Sequence, residues 1–177
     1  MTDLAILENF VRCFVEDGCS DWSEEDSGEK LVVAQVTDKS TLEAVYSRLP
    51  ARFPSLYEQL VLTYRWHRAE VECDGVGQFR MLGNPPGTDL SGLLDEIFID
   101  KALHPTCLEN GYIQFGRGSG GNYDPLCFDV SSSKHRGRIR IVQLDHEEIL
   151  CNSRIKIVAT LADSFEELVQ NVLLPLA

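Results

Sequence analysis

Asp145-His146-Glu147-Glu148 is the only place in the chain where titratable groups crowd together around a histidine. An imidazole flanked by carboxylates suits a general base or a metal site. As a zinc site the segment lacks the second histidine four residues on that H-E-x-x-H requires. His67, His104 and His135 stand alone elsewhere in the chain. As a base, His146 would need a nucleophile such as Cys127 or Cys151, a pairing that only the fold could create. A histidine held by carboxylates for structural reasons has the same local sequence. The expectation is a structural His146, with no metal and no cofactor. A small hydrolase or metal enzyme built on Asp145, His146 and Glu147 is the alternative.

The second candidate is Gly116-Arg117-Gly118-Ser119-Gly120-Gly121, which fits G-x-G-x-x-G by letter. A dinucleotide site needs a helix to begin straight after those glycines, so that its free N–H groups meet the pyrophosphate. Here Asn122-Tyr123-Asp124-Pro125 follows, and then a run that reads as a strand. No Lys-Ser or Lys-Thr completes a P-loop either. The glycines are therefore expected to make a wide turn with positive φ. The six cysteines (13, 19, 73, 107, 127 and 151) contain no Cys-x-x-Cys pair and read as small buried apolar residues.

The elements that must hold these groups can be read from periodicity. Tyr112 to Phe115, Pro125 to Val130 and Arg138 to Leu144 are strand-like, and their short glycine- or serine-rich connections favour antiparallel neighbours. In the last run Ile139, Ile141 and Gln143 share one face; Arg140, Val142 and Leu144 share the other, apolar only toward its end. Upstream, a helix is expected over Thr2 to Asp17 with Leu4, Leu7, Val11 and Phe14 as its apolar stripe. Leu31 to Val36 reads as a buried strand. Ser40 and Glu43 have capping-box spacing for a helix reaching Leu49. Pro54 opens another helix with Leu56, Tyr57, Leu60, Val61 and Tyr64 on its buried face, and the cations of Arg65-Trp66-His67-Arg68 complement its C-terminal dipole. Glu70 to Leu82 reads as a hairpin around Asp74-Gly75-Val76-Gly77. Asp89 should cap a helix toward Phe98, and Pro105 should delay or kink the next, Asp100 to Asn110. Asp145 to Leu150 reads as one helical turn and Arg154 to Ala159 as a strand. A last helix is capped by Asp163 or Ser164, with Phe165, Leu168, Val169, Val172 and Leu173 packing on the sheet. The fold class expected is α+β: a largely antiparallel or mixed, bent sheet of about six strands packed by helices.

The order of these motifs resembles the SUKH superfamily, the Smi1/Knr4-like proteins. The resemblance rests on Phe115-Gly116, the glycine and acid loop from Gly120 to Asp124, Phe128-Asp129, Asp145-His146-Glu147 and the Ser164 to Glu167 helix start. Leu49-Pro50 through Glu58 is similar to the helix entry that precedes them. It covers about residues 40–174, with 1–36 as an N-terminal helix, acidic loop and strand. The chain departs from the pattern in placing Asn122 directly after the glycines, with the acid Asp124 two positions later. The resemblance implies one SUKH-like domain over 1–177 and a structural role for Phe115, Gly116, Gly121, Asp129, Asp145, His146, Glu147 and Phe165. It further implies a cytoplasmic, non-catalytic protein-interaction domain, most often an immunity protein that blocks a toxin. A Smi1/Knr4-like regulatory scaffold is the second form of the same class.

Charge agrees with a basic partner. With 16 basic and 28 acidic residues among 177 the net charge is −12, which repels nucleic-acid phosphates and attracts a basic surface such as a nuclease cleft. Asp21, Trp22, Glu24, Glu25, Asp26 and Glu29 form the most acidic stretch, with Trp22 as an anchor. Together with Arg117, Ser119, Asn122, Tyr123 and Asp124 of the glycine loop they are the expected partner-binding residues. No apolar run approaches the ~20 residues of a membrane span, and MTDLAILENF lacks the basic start of a signal peptide, so a cytoplasmic location is expected. The sequence names no oligomeric state.

Overall fold

The computed structural model describes residues 3–15, 31–131 and 138–172. Six strands, β3 (Ala69–Cys73), β4 (Gly77–Met81), β5 (Tyr112–Gly118), β6 (Pro125–Asp129), β7 (Arg140–Leu144) and β8 (Ile157–Ala162), lie side by side in chain order, every pair antiparallel. A separate two-stranded sheet joins β1 (Val32–Ala34) to β2 (Tyr64–Trp66). Around them stand α1 (Asp3–Arg12), α2 (Thr41–Tyr46), α3 (Ser55–Thr63), α4 (Ser91–Ile97), α5 (His104–Glu109), α6 (His146–Asn152) and α7 (Phe165–Gln170). The protein is α+β, as its patterning predicts.

The strands of the meander bury both faces because their residues alternate between two cores. Phe79, Met81, Ile113, Phe115, Leu126, Phe128 and Ile141 enter the larger cluster, under α1, α3 and α7. Cys127, Val142 and Leu144 point the other way, into a smaller cluster with Tyr112 of β5, Leu103 and Cys107 of the α5 region and Ile149 of α6. Phe165 of α7 is the junction of the larger cluster. Its ring meets those of Phe10, Tyr57, Phe115 and Phe128 at centroid distances of 6.0, 5.3, 6.1 and 5.8 Å, each nearly edge to face. Phe115 and Phe128, cross-strand neighbours on β5 and β6, stack at 4.4 Å.

Several expectations are corrected by long-range contacts. The first helix ends at Arg12, because Val15 leaves it to bridge the outer edge of β3 at Glu70, with paired 3.0 Å bonds. Its buried residues are Leu7 and Phe10, Phe14 is buried just beyond its end, and Leu4 is exposed. Of Leu31 to Val36 only Val32–Ala34 is a strand, half-exposed and outside the main sheet, and Val36 beyond it is 84% exposed. Ser40 does not cap α2; the Asp38 carboxylate accepts its N–H at 2.8 Å. Leu90, in the left-handed region at φ 71°, takes the N-cap place given to Asp89. Tyr64 leaves α3 for β2. The last strand runs three residues later than predicted, and Asp145 to Leu150 grows into the seven-residue α6. Thr2 and Asp17, the expected ends of the first helix, lie outside the described residues, as do the acidic stretch within 21–29, Cys19, His135 and Leu173.

Other local readings hold. Arg65 is fully buried and donates to the α3 carbonyl of Val61, to Tyr64 O at 3.1 Å and to Thr37 Oγ1, so a cation does close that helix. Pro105 sits in the first turn of α5, giving the late start. Ser164 accepts the Glu167 N–H at 3.1 Å and caps α7. Of the cysteines, 13, 73, 107 and 127 are buried, whereas Cys151 is exposed on α6.

Phe165→Ala should destabilise the protein by about 3–5 kcal/mol, the range for emptying a fully buried aromatic site. Urea unfolding followed by far-ultraviolet circular dichroism measures it, and a loss below about 1 kcal/mol would contradict the junction role.

Candidate functional site

The β5–β6 connection and the start of α6 form one site. Gly116 must be glycine, because a Cβ there would stand 2.7 Å from the Arg80 carbonyl on β4. The chain then turns through Gly120 and Gly121 at φ 64° and 87°, a region that side chains avoid. Asn122 folds back over Gly118, and its Oδ1 accepts the Asp124 N–H at 2.8 Å. Gly118 N donates to Asp124 O at 3.1 Å, closing the loop at its base. No helix follows; β6 begins at Pro125, so the positive-φ turn is what these glycines form.

Asp124 latches this loop to α6. Its Oδ1 lies 2.6 Å from His146 Nδ1 and accepts the His146 backbone N–H at 3.1 Å. With the proton on Nδ1, the imidazole and its own amide both donate to one carboxylate oxygen. The Tyr123 ring stands edge-on to the imidazole at 6.0 Å, and Tyr123 itself is 59% exposed. The acid displaced by two positions from the family-like pattern therefore has a definite partner. The signal was present in sequence as two separate acid-containing motifs, but nothing local said that one would bond the other.

The three residues singled out as a titratable cluster do not converge. Asp145 caps α6, accepting the Glu148 N–H at 3.2 Å, and its other oxygen takes Lys156 Nζ at 2.8 Å. The Lys156 ammonium, with the Glu148 N–H behind it, holds the Asp145 carboxyl below the usual carboxylate range. His146 turns to Asp124, and Glu147 is exposed. Glu148 pairs with Arg154 at 2.7 Å. Cys127 lies in the smaller core beside the Cys107 thiol, and burial pushes its own thiol well up. Among the described residues no three His, Cys, Asp or Glu side chains are grouped to hold a metal ion.

Sequence reasoning missed a polar cluster on the β3–β4 side of the loop. Glu70, buried on β3, accepts Ser119 Oγ at 2.6 Å and Gln78 Nε2 at 2.7 Å, with Arg80 Nη2 at 3.7 Å. Ser119 is thus tied back to the sheet, while Arg117 stays half-exposed opposite Arg80 and Pro125. A cavity of about 120 Å³ adjoins the loop, with Gln78, Phe79, Ser119, Asn122, Leu126 and Gln143 in its wall. Five strands, β4 to β8, contribute to that wall, so no local stretch could reveal it. Phe115 and Phe165 are buried in the core, and Gly116 packs against the Arg80 carbonyl. Asp129 is buried at the far end of β6, bound to Ser131 and to Arg140 Nη2 at 2.8 Å. The acidic residues Asp21, Glu24, Glu25, Asp26 and Glu29, and Trp22, lie outside the described residues.

Set against known proteins, the chain matches no family model and no curated protein. Among the described residues no helix is long and apolar enough to cross a membrane.

Two measurements follow from this geometry. His146→Ala should keep the fold, cost about 1 kcal/mol for the half-exposed latch, and speed amide exchange at Asn122, Tyr123 and Asp124. Unchanged exchange there would show that the latch does not order the loop. For Asp129, burial raises the carboxyl, but Ser131 and Arg140 outweigh it and hold it below its ordinary value. A carboxyl depressed in the folded state stabilises above its unfolded value of about 3.9, and that stability is lost as pH falls through the lower folded value. Asp129→Asn should therefore be less stable than the parent at neutral pH, with the gap closing below about pH 4 in pH-dependent urea titrations.

Proposed function

We propose that this chain is a non-catalytic protein-interaction domain of the SUKH immunity type, which binds and neutralises a basic protein in the cytoplasm, a toxin nuclease being the partner. The observation that carries this reading is a latched, outward-facing loop on a protein of net charge −12. A loop ordered before binding loses less entropy on association, and Tyr123 offers a large amphipathic contact with few rotors to freeze. Asp124 adjoins Tyr123 in the chain and the exposed Glu147 adjoins His146, whose ring Tyr123 meets, so a basic partner finds acidic groups there. Support also comes from the order of family-like motifs over residues 40–174, whose loop acid and Asp-His-Glu segment make the latch.

The test is inhibition of a basic toxin nuclease, first that of any toxin gene neighbouring this one, by the purified full chain. Binding should weaken as salt rises, and Tyr123→Ala should raise Kd about tenfold or more, as truncation of an aromatic anchor does. Failure to bind such nucleases, or binding indifferent both to salt and to Tyr123→Ala, would sink the proposal.

A further inference from the structure

The cavity beside the glycine loop, about 120 Å³ in volume, opens between strand ends and takes part of its wall from Val76 of the β3–β4 turn. Phe79 faces Gly118 across β4 and β5, and Leu126 faces Gln143 across β6 and β7. Opposed residues share a face of the sheet. Phe79 and Leu126 enter the larger core, so Gly118 and Gln143 lie on that inner face as well. Phe79, Leu126 and Leu161, all packed in or against that core, give the cavity its apolar side.

Two carboxamides supply its polar side. Asn122 occupies the space that a side chain at Gly118 would take: a Cβ there would stand 2.7 Å from Asn122 Cβ and 2.8 Å from its Nδ2. Asn122 Oδ1 is committed to the Asp124 N–H, which can only donate, so Nδ2 is the end left for a ligand. Gln143 is half-buried, and among the described residues its side-chain amide makes no hydrogen bond. It offers a donor and an acceptor together. Gln78 and Ser119 are also in the wall, but their side chains are already held on Glu70, at 2.7 and 2.6 Å. No residue lining the cavity carries a formal charge.

We propose that this cavity is a binding site for an uncharged primary carboxamide on a short apolar stem. Gln143 and such a group pair head to tail, each N–H donating to the other's oxygen, and the second lone pair of the ligand oxygen accepts from Asn122 Nδ2. The stem rests against Phe79, Leu126 and Leu161. A carboxylate of the same shape sets an oxygen against the Gln143 oxygen and meets no cation in the wall to offset its desolvation. An ammonium meets the Asn122 N–H groups and no anion in the wall. Size agrees, because an apolar cavity of about 150 Å³ takes benzene and this one is somewhat smaller. The carboxamide can belong to a free small amide or to a glutamine or asparagine side chain of another protein. The inference rests on the cavity alone and does not depend on the proposed toxin partner.

Propionamide is the probe, titrated into the isotope-labelled full chain and followed by nuclear magnetic resonance. Saturable shifts are expected in the side-chain amide signals of Gln143 and Asn122, and propionate should bind about tenfold more weakly or worse. Gln143→Leu keeps the bulk but removes both hydrogen-bonding atoms, and Gly118→Ala pushes Asn122 aside. Each should weaken propionamide binding about tenfold with the circular dichroism spectrum unchanged. A blocked glutamine, N-acetylglutamine methylamide, separates the two sources. If it binds as well as propionamide, the site takes a protein side chain; if it is excluded while propionamide binds, the site takes a free amide. The proposal is overturned if no shift saturates up to the solubility limit of propionamide, if propionate binds as tightly, or if affinity survives both substitutions.

Discussion

The antiparallel meander from β5 to β7 has to bury two faces at once, and this requirement organises the molecule. A strand exposes alternate residues on opposite sides, so a half-buried sheet needs one apolar set and a doubly covered one needs two. Here Phe115, Leu126, Phe128 and Ile141 supply the first set; Cys127, Val142 and Leu144 supply the second. The first is sealed by aromatic rings from α1, α3 and α7 that meet edge to face around Phe165. The second is sealed by two short helices, α5 and α6, that each bury little more than one side. Because α6 must lie over β6 and β7, its N-terminus is carried to the β5–β6 loop, and the Asp124–His146 contact follows.

The polar groups then sort by where the double covering stops. At the β3–β4 side the second face carries the polar residues Glu70, Glu72, Gln78 and Arg80. Glu70 is nonetheless buried, and its carboxylate is satisfied by Ser119, Gln78 and Arg80. A buried carboxylate left unmatched would be costly, so this network also fixes where the loop leaves the sheet. At the opposite margin Asp129 and Arg140, a cross-strand pair, close the second core with an ion pair. The site is thus framed by structural polar contacts that tie both ends of one exposed turn, which carries Tyr123, to the sheet and to α6.

Local chemistry was legible where it was self-contained. The hairpin at Asp74 to Gly77, the Ser164 cap, the late start at Pro105 and the positive-φ turn at Gly120 and Gly121 are all decided within a few residues. Reading failed where a distant element competed. Val15 has good helical neighbours, but the open N–H and C=O of Glu70 on β3 take it. Ser40 has capping-box spacing with Glu43, yet Asp38 reaches the amide first and Ser40 adopts helical angles. Ile157 and Val158 look like core residues by type and are exposed, because the sheet ends with their strand.

The amino-acid order by itself determined the α+β class, the succession of strands, the non-helical sequel to the glycine loop and the acidic character of the surface. These depend on alternation, turn residues and charge count, which are properties of neighbours along the chain. Tertiary structure alone decided that the Asp145-His146-Glu147 group splits apart, that His146 finds Asp124, and that Glu70 gathers Ser119, Gln78 and Arg80. It also decided which strand would stand at the sheet's margin. Each of these outcomes depends on strand order and register, and register is set by how whole faces pack, information that no short stretch of sequence contains.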